Sequence, residues 1–247
     1  MSTLVNNQNK EFSTNDIILE VQDLSFSYSR KQTLVLENVS VKFFRNNLTV
    51  IAGPNGSGKT TLMKHFNGLL LPQQGEVVVF NKQVTKKNRG EIQKLVGLVF
   101  ENPEEQIFFP KVYEDVAFGP KNMRLSWEEI QDRVENALEE VQITHLKDKV
   151  TFNLSFGEKK KVAFAGILAM RPKLIIFDEP TIGIDPWTKP RMIETIRSFT
   201  RKRTVVVITH DVDVMKIADR ILLMKQGKIK GDFSTYEDFQ QQELLNI

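Results

Sequence analysis

An α/β fold is predicted for this 247-residue chain, with a mainly parallel core sheet, antiparallel strands at its edge and an inserted run of helices. Three observations carry that expectation. Short continuous β-branched runs, such as Leu48-Thr49-Val50-Ile51-Ala52, read as strands buried on both faces. Amphipathic helical spacings alternate with them, as in β-α units of a parallel sheet. A glycine-rich loop joins one such strand to one such helix.

Residues 1–16 are rich in Asn, Ser and Thr without periodicity and read as a loose polar tail. Strand patterns begin at Leu19 and Val21 and recur at Val39, Val41 and Phe43, before a turn at Asn46-Asn47. After the run 48–52, Leu62, Phe66 and Leu69 recur at helical spacing, with Gly68 and Pro72 near the expected end. Residues 103–170 change character and read as a helical lobe. There Ser126-Trp127-Glu128-Glu129 reads as a capping box ahead of Ile130, Val134, Ala137, Leu138 and Val141. A second helix is expected over about 157–170. Strands follow at Lys173–Phe177 and Thr204–Thr209, with an amphipathic helix between them carried by Met192, Ile193, Ile196 and Phe199. Gln226-Gly227 between Ile221–Met224 and Lys228–Lys230 marks a hairpin. No internal repeat is present.

Composition narrows the chemistry. With no cysteine, disulfides, thiolate metal sites and cysteine nucleophiles are excluded. The only histidines are His65, His145 and His210, too few for a multi-histidine metal centre; His65 and His145 read as structural. Lys+Arg number 34 against 31 Asp+Glu, so the formal charge of +3 gives no ground for a nucleic-acid partner. No apolar window has the ~18–20 residues of a membrane span, and the polar N-terminus lacks a signal-peptide pattern, so the chain is expected in the cytoplasm, where a partner could still hold it on a membrane.

Gly53-Pro54-Asn55-Gly56-Ser57-Gly58-Lys59-Thr60 fits the phosphate-loop pattern, with Thr61 next in line. Its glycines let backbone N–H groups turn inward around phosphate oxygens. Lys59 brings charge to the β and γ phosphates, Thr60 a hydroxyl for Mg²⁺, and the following helix its positive N-terminal end. The apolar run Leu174–Phe177 ends in Asp178-Glu179. Asp178 is a candidate Mg²⁺ ligand through water, and Glu179 a candidate to activate the attacking water. His210 closes a second such strand and is a candidate donor to the γ-phosphate. ATP and Mg²⁺ are the expected substrate and cofactor.

Leu154-Ser155-Phe156-Gly157-Glu158 resembles the ABC ATPase signature, usually written LSGGQ, at the family's distance ahead of Asp178-Glu179. Gly183-Ile184-Asp185 resembles the family's D-loop, and Tyr28 stands where it places an aromatic for adenine stacking. GTPases are disfavoured, since Asn81-Lys82-Gln83-Val84 lacks the Asp of N-K-x-D; small-molecule kinases have no signature segment. The resemblance covers about residues 17–233 and implies that 17–247 form one P-loop ABC ATPase domain with the lobe at about 103–170. Residues 99–108, 115–120 and 161–170 resemble the energy-coupling-factor subgroup, whose members power uptake of metal ions or vitamins.

That likeness implies a head-to-tail dimer with a second ABC ATPase subunit, identical or not. Ser155, Gly157, Glu158 and the D-loop Asp185 would then serve the ATP of the facing subunit. It also implies a transmembrane coupling protein docking near residues 101–118, a membrane substrate-binding protein, and a peripheral place on the cytoplasmic face of the membrane. Two residues depart from the family. Glu101 replaces the usual Gln and would join Thr60 and Asp178 on the metal with added negative charge, making hydrolysis slower or more Mg²⁺-demanding. Phe156 enters the signature but leaves Ser155 and Gly157 in place. Lys159-Lys160-Lys161 reads as a solvated helix face, and Trp187 as packing beside the turn after Asp185. The rival readings are a soluble ABC ATPase without a transport role and a non-hydrolysing ATP-binding subunit.

Overall fold

The computed structural model describes residues 16–29 and 33–245, so the predicted tail lies outside the described residues but for Asp16. Strands β1 (Ile17–Phe26) and β2 (Leu36–Phe44) pair antiparallel, followed by β3 (Leu48–Ala52) and helix α1 (Lys59–Phe66). Next come β4 (Gln74–Val79), β5 (Lys82–Gln83), α2 (Arg89–Leu95) and β6 (Val96–Val99). Helices α3 (Val112–Asn122), α4 (Trp127–Glu140) and α5 (Phe156–Ala169) follow without an intervening strand, as the sequence predicts. The chain then alternates β7 (Leu174–Asp178), α6 (Lys189–Phe199), β8 (Thr204–Ile208), α7 (Val212–Lys216), β9 (Arg220–Lys225), β10 (Lys228–Phe233) and α8 (Tyr236–Leu245).

Two sheets result. One is antiparallel in the order β2-β1-β4-β5; the other runs β10-β9-β3-β8-β7-β6, parallel except for β10. Every residue of β3, β7 and β8 is buried, because alternate side chains serve two different cores. Val50, Ile175, Phe177, Val205 and Val207 face a core shared with Val134, Leu138, Phe164 and Phe199 of the helices. Ile51, Ile176, Val206 and Ile208 face the other, filled by Leu62 and Phe66 of α1 and by Leu19, Val21 and Phe43 of the antiparallel sheet. The parallel strands all end on one edge, and the loops there form the candidate site.

Three local expectations are corrected. Helix α1 stops at Phe66: Asn67 caps it, Gly68 turns away at φ +75°, and Leu69 is 47% exposed beyond the end. The periodicity ran past the helix because a turn happened to keep an apolar residue in step. The capping box at Ser126 is half formed. Ser126 Oγ accepts from Glu129 N at 3.2 Å, but the Glu129 carboxylate turns outward to Arg133 at 2.7 Å. The complete box stands at α5, where Ser155 and Glu158 bond reciprocally. Trp187 does not pack; it is 90% exposed on the turn before α6.

Candidate nucleotide site

The phosphate loop leaves β3 through Gly53, whose φ of +145° suits glycine alone. A Cβ there would lie 1.9 Å from the Met224 carbonyl oxygen, so the loop lies against β9 only because that atom is missing. The loop closes on Gly58, also at positive φ, and α1 starts with no side chain capping its first amides. Those amides remain directed at the loop, where an anion is the natural partner. The Lys59 ammonium lies back along the loop, donating to Gly53 O at 2.7 Å and Pro54 O at 3.0 Å. Burial lowers its pKa, while the charges of Glu179 and Asp178 oppose the fall. Ser57 Oγ is buried with no hydrogen-bond partner. On the neighbouring surface, Tyr28 Oη and Thr61 Oγ1 are 3.1 Å apart, and the exposed Tyr28 ring meets Phe26 edge-on.

Adjacent parallel strands bring the carboxylates to this loop. Asp178 closes β7, and its Oδ2 accepts from Thr60 Oγ1 at 2.9 Å. Glu179 follows in a left-handed backbone conformation, φ +44°. Its N–H donates to Ile208 O at 2.8 Å, and its Oε2 accepts from Thr209 Oγ1 at 2.9 Å. The free side of the carboxylate faces His210, with Oε1 3.6 Å from Nε2, and the same Nε2 lies 3.3 Å from Asn55 Oδ1. Burial raises the pKa of both carboxyls; the Thr60 hydroxyl opposes this at Asp178 and the Thr209 hydroxyl at Glu179. Glu101 is exposed and borders, with Thr60, Lys64, Asn102, Glu105 and Asp178, an open hollow of about 630 Å³. A larger hollow of about 780 Å³ beside α6 shares no residue with the loop.

The signature residues form a second patch. Ser155 and Glu158 hold each other in the capping box; Gly157 lies between them against Ile184, its absent Cβ 3.5 Å from that side chain. Asp185 is exposed and accepts from Trp187 N and Thr188 N at 3.0 Å, and from the Thr188 hydroxyl. The described hydrogen bonds of Ser155, Glu158 and Asp185 stay within their own segments.

One side chain joins the two patches, and sequence reasoning placed it wrongly. Lys160 is not solvated: it is 1% exposed, and its Nζ donates to Glu179 O at 2.9 Å. Its neighbour Lys159 does reach the surface, paired with Glu104 at 2.6 Å. Thr209 and Gln106 were also missed. Gln106 ties the chain after β6, accepting from Phe100 N at 2.8 Å and donating to Leu98 O at 3.0 Å. The polar residue closing an otherwise apolar strand was the available signal for Thr209.

Glycines pressed against backbone, an unpartnered buried hydroxyl, a lysine and uncapped helix amides together fit a polyphosphate. The Thr60–Asp178 pair supplies the hard oxygen atoms that Mg²⁺ prefers. A parallel sheet with this loop and these strand-end carboxylates defines a P-loop nucleotide-binding protein. Residues 36–182 match the family model described as ABC transporter, and the chain belongs to that family, as an ABC ATPase. The energy-coupling factor transporter ATP-binding protein EcfA of Methanocaldococcus jannaschii is 43% identical over 232 residues, covering 92% of this chain and 83% of that protein. EcfA1 of Methanospirillum hungatei is also 43% identical over 232 residues, covering 93% of this chain and 83% of its own length. The structure of CbiO1 from Clostridium perfringens, described as part of the ABC transporter complex CbiONQ, superposes with a TM-score of 0.84 at 38% identity, covering 94% of each chain. Among the described residues no helix is long and apolar enough to cross a membrane.

Proposed function

We propose that this chain is the ATP-hydrolysing subunit of an energy-coupling-factor importer, peripheral on the cytoplasmic face of the membrane, with residues 17–247 as one ATPase unit. The observation that carries the hydrolytic reading is the Glu179 carboxylate, fixed by Thr209 beside His210 and next to the Thr60–Asp178 pair, and the likeness to the EcfA relatives supports the importer. Residues Gly53–Thr61 bind the phosphates, with Lys59 supplying positive charge, and Tyr28 stacks on adenine. Thr60, Asp178 and Glu101 would hold Mg²⁺, which would supply positive charge to offset that of the phosphates. Glu179 takes a proton from water as the water oxygen attacks the γ-phosphorus and the bond to the ADP oxygen breaks. His210 donates to a γ-phosphate oxygen. Ser155, Gly157, Glu158 and Asp185 serve the ATP of a facing ATPase subunit, which their exposed or half-buried position on a separate patch supports. A transmembrane coupling protein and a membrane substrate-binding protein complete the importer.

The test is capture of the Glu179→Gln protein with ATP and Mg²⁺ from detergent-solubilised native membranes, followed by mass spectrometry. Recovery of a polytopic membrane protein with a small substrate-binding membrane protein is expected. Recovery of only soluble or ribosomal partners overturns the importer in favour of a soluble ABC ATPase.

A further inference from the structure

Lys160 has the lowest exposure of any charged side chain among the described residues. A buried ammonium is costly to keep, and a solvated lysine or an apolar residue at this helix position would be cheaper. The geometry around it shows what it holds. Its Nζ donates to the carbonyl oxygen of Glu179 at 2.9 Å, while the N–H of the same residue donates to Ile208 O at 2.8 Å. Glu179 is thus gripped at both ends of a backbone conformation that a side-chain-bearing residue seldom adopts. That grip sets where the side chain starts, and the Thr209 hydroxyl bonds its carboxylate end.

The other end of Lys160 belongs to the signature turn. It lies two residues beyond Glu158 on α5, with its Nζ 5.4 Å from the centre of the Phe156 ring. The Phe156 ring in turn presses on Gly183, where a Cβ would come within 2.6 Å of a ring carbon. Signature turn, ammonium, Glu179 and the loop at Gly183 therefore form one contiguous packed unit, the kind of network through which sites couple.

We propose that Lys160 is a positioning residue that ties the signature turn of this subunit to its own Glu179, so that engagement of the turn by a facing ATP is felt at the carboxylate that activates water. The inference rests on the function proposed above. It adds that the two ends of one subunit, each serving a different ATP, are joined through a single buried amine. Phe156 gains a reason as well: its ring fills the space between that amine and Gly183, which a glycine at 156 would leave open. Burial holds the amine down to about 8, while the charges of Glu101, Glu179 and Asp178 oppose the fall, which places Lys160 within the field of the same carboxylates.

The full-length chain is tested by steady-state phosphate release and by titration with a fluorescent ATP analogue. Lys160→Met keeps the apolar stem and removes the donor. It is expected to lower kcat about ten- to a hundredfold, the size of loss that a misdirected catalytic group brings, with KM and analogue affinity within twofold of wild type. Lys160→Arg, which restores a donor, is expected to recover most of kcat. Gly183→Ala, at a φ of +74° that itself disfavours a side chain, pushes Phe156 from the other side and is expected to lower kcat in the same manner. The double variant Lys160→Met/Gly183→Ala should be no slower than the slower single variant, because both break one unit.

Wild-type kcat in Lys160→Met, an equal loss in Lys160→Arg, or multiplying losses in the double variant overturns the proposal. If Lys160→Met does not fold, wild-type kcat in Gly183→Ala overturns it alone. Failure of the underlying function is distinguishable: it would show as absent hydrolysis by the wild-type chain, or as hydrolysis undiminished in Glu179→Gln.

Discussion

Replacing Thr209 by valine removes one hydroxyl and almost nothing else. Thr209 is fully buried, so the new methyl occupies the space the oxygen leaves. Two bonds go with that oxygen: the donation to Glu179 Oε2 at 2.9 Å and the acceptance from Asp211 N at 3.0 Å. A hydrogen bond to a charged group is worth about 1.5–3 kcal/mol. If that worth acts on the direction of the Glu179 carboxylate, kcat falls about ten- to a hundredfold, at ~1.4 kcal/mol per decade. The orphaned Asp211 amide lies at the N-cap of α7, so a stability loss of about 1–3 kcal/mol accompanies the kinetic effect. The pH response has a definite sign. The hydroxyl opposes the rise that burial imposes on the Glu179 carboxyl, so its loss lets that pKa climb further. The ionised base then disappears at a higher pH on acidification, and the acid limb of the rate profile moves toward neutrality. Phosphate release from pH 5 to 9 with saturating ATP and Mg²⁺, alongside thermal melting, measures both. A kcat within twofold of wild type with an unmoved acid limb would refute the assignment of Thr209 as a residue that orients the Glu179 carboxylate.

Variants at three further positions have expected outcomes. Gly53→Ala drives a Cβ into the Met224 carbonyl oxygen, a backbone atom that cannot swing aside, and should weaken fluorescent-nucleotide binding at least about tenfold while lowering the melting temperature. Asp115 accepts from Phe108 N and Phe109 N, and burial raises its pKa. Asp115→Ala should therefore cost about 1–3 kcal/mol in urea unfolding. Asp115→Asn keeps an acceptor oxygen and sheds the buried charge; since a raised carboxyl pKa means ionisation weakens the fold as pH rises, the advantage of Asn over Asp should grow as the pH climbs above the ordinary carboxyl value of 3.8. Glu101→Gln removes a charge that pushes the Asp178 carboxyl upward. It should speed hydrolysis or lower its Mg²⁺ demand, and an unchanged Mg²⁺ dependence and rate would strip Glu101 of its role.

The sheet was legible because its strands are buried on both faces: a run such as Val205-Val206-Val207-Ile208 has few other places to be. The phosphate loop was legible because its glycines, lysine and threonine are fixed by one short stretch of backbone. Lys160 was not, for a reason built into α5. That helix is buried around most of its girth, so its pattern carries no polar stripe against which a buried lysine would stand out. Its partner lies 19 residues away across β7, at a backbone carbonyl, which every residue has and no sequence marks. Trp187 failed in the opposite direction: an indole promises burial, but the turn before α6 offers it nothing to lie against. The half-formed box at Ser126 shows a competition spacing cannot decide, since Glu129 had both a helix end and Arg133 within reach.

The left-handed backbone at Glu179 sets two kinds of selection against each other. Glycine or asparagine tolerates that conformation, whereas an ordinary side chain there costs of order 1–3 kcal/mol. Position 179 is thus occupied by a poor residue for the persistence of the fold. A population of variants screened only for resistance to heat should drift away from glutamate at this position, and one screened for turnover should be held to it.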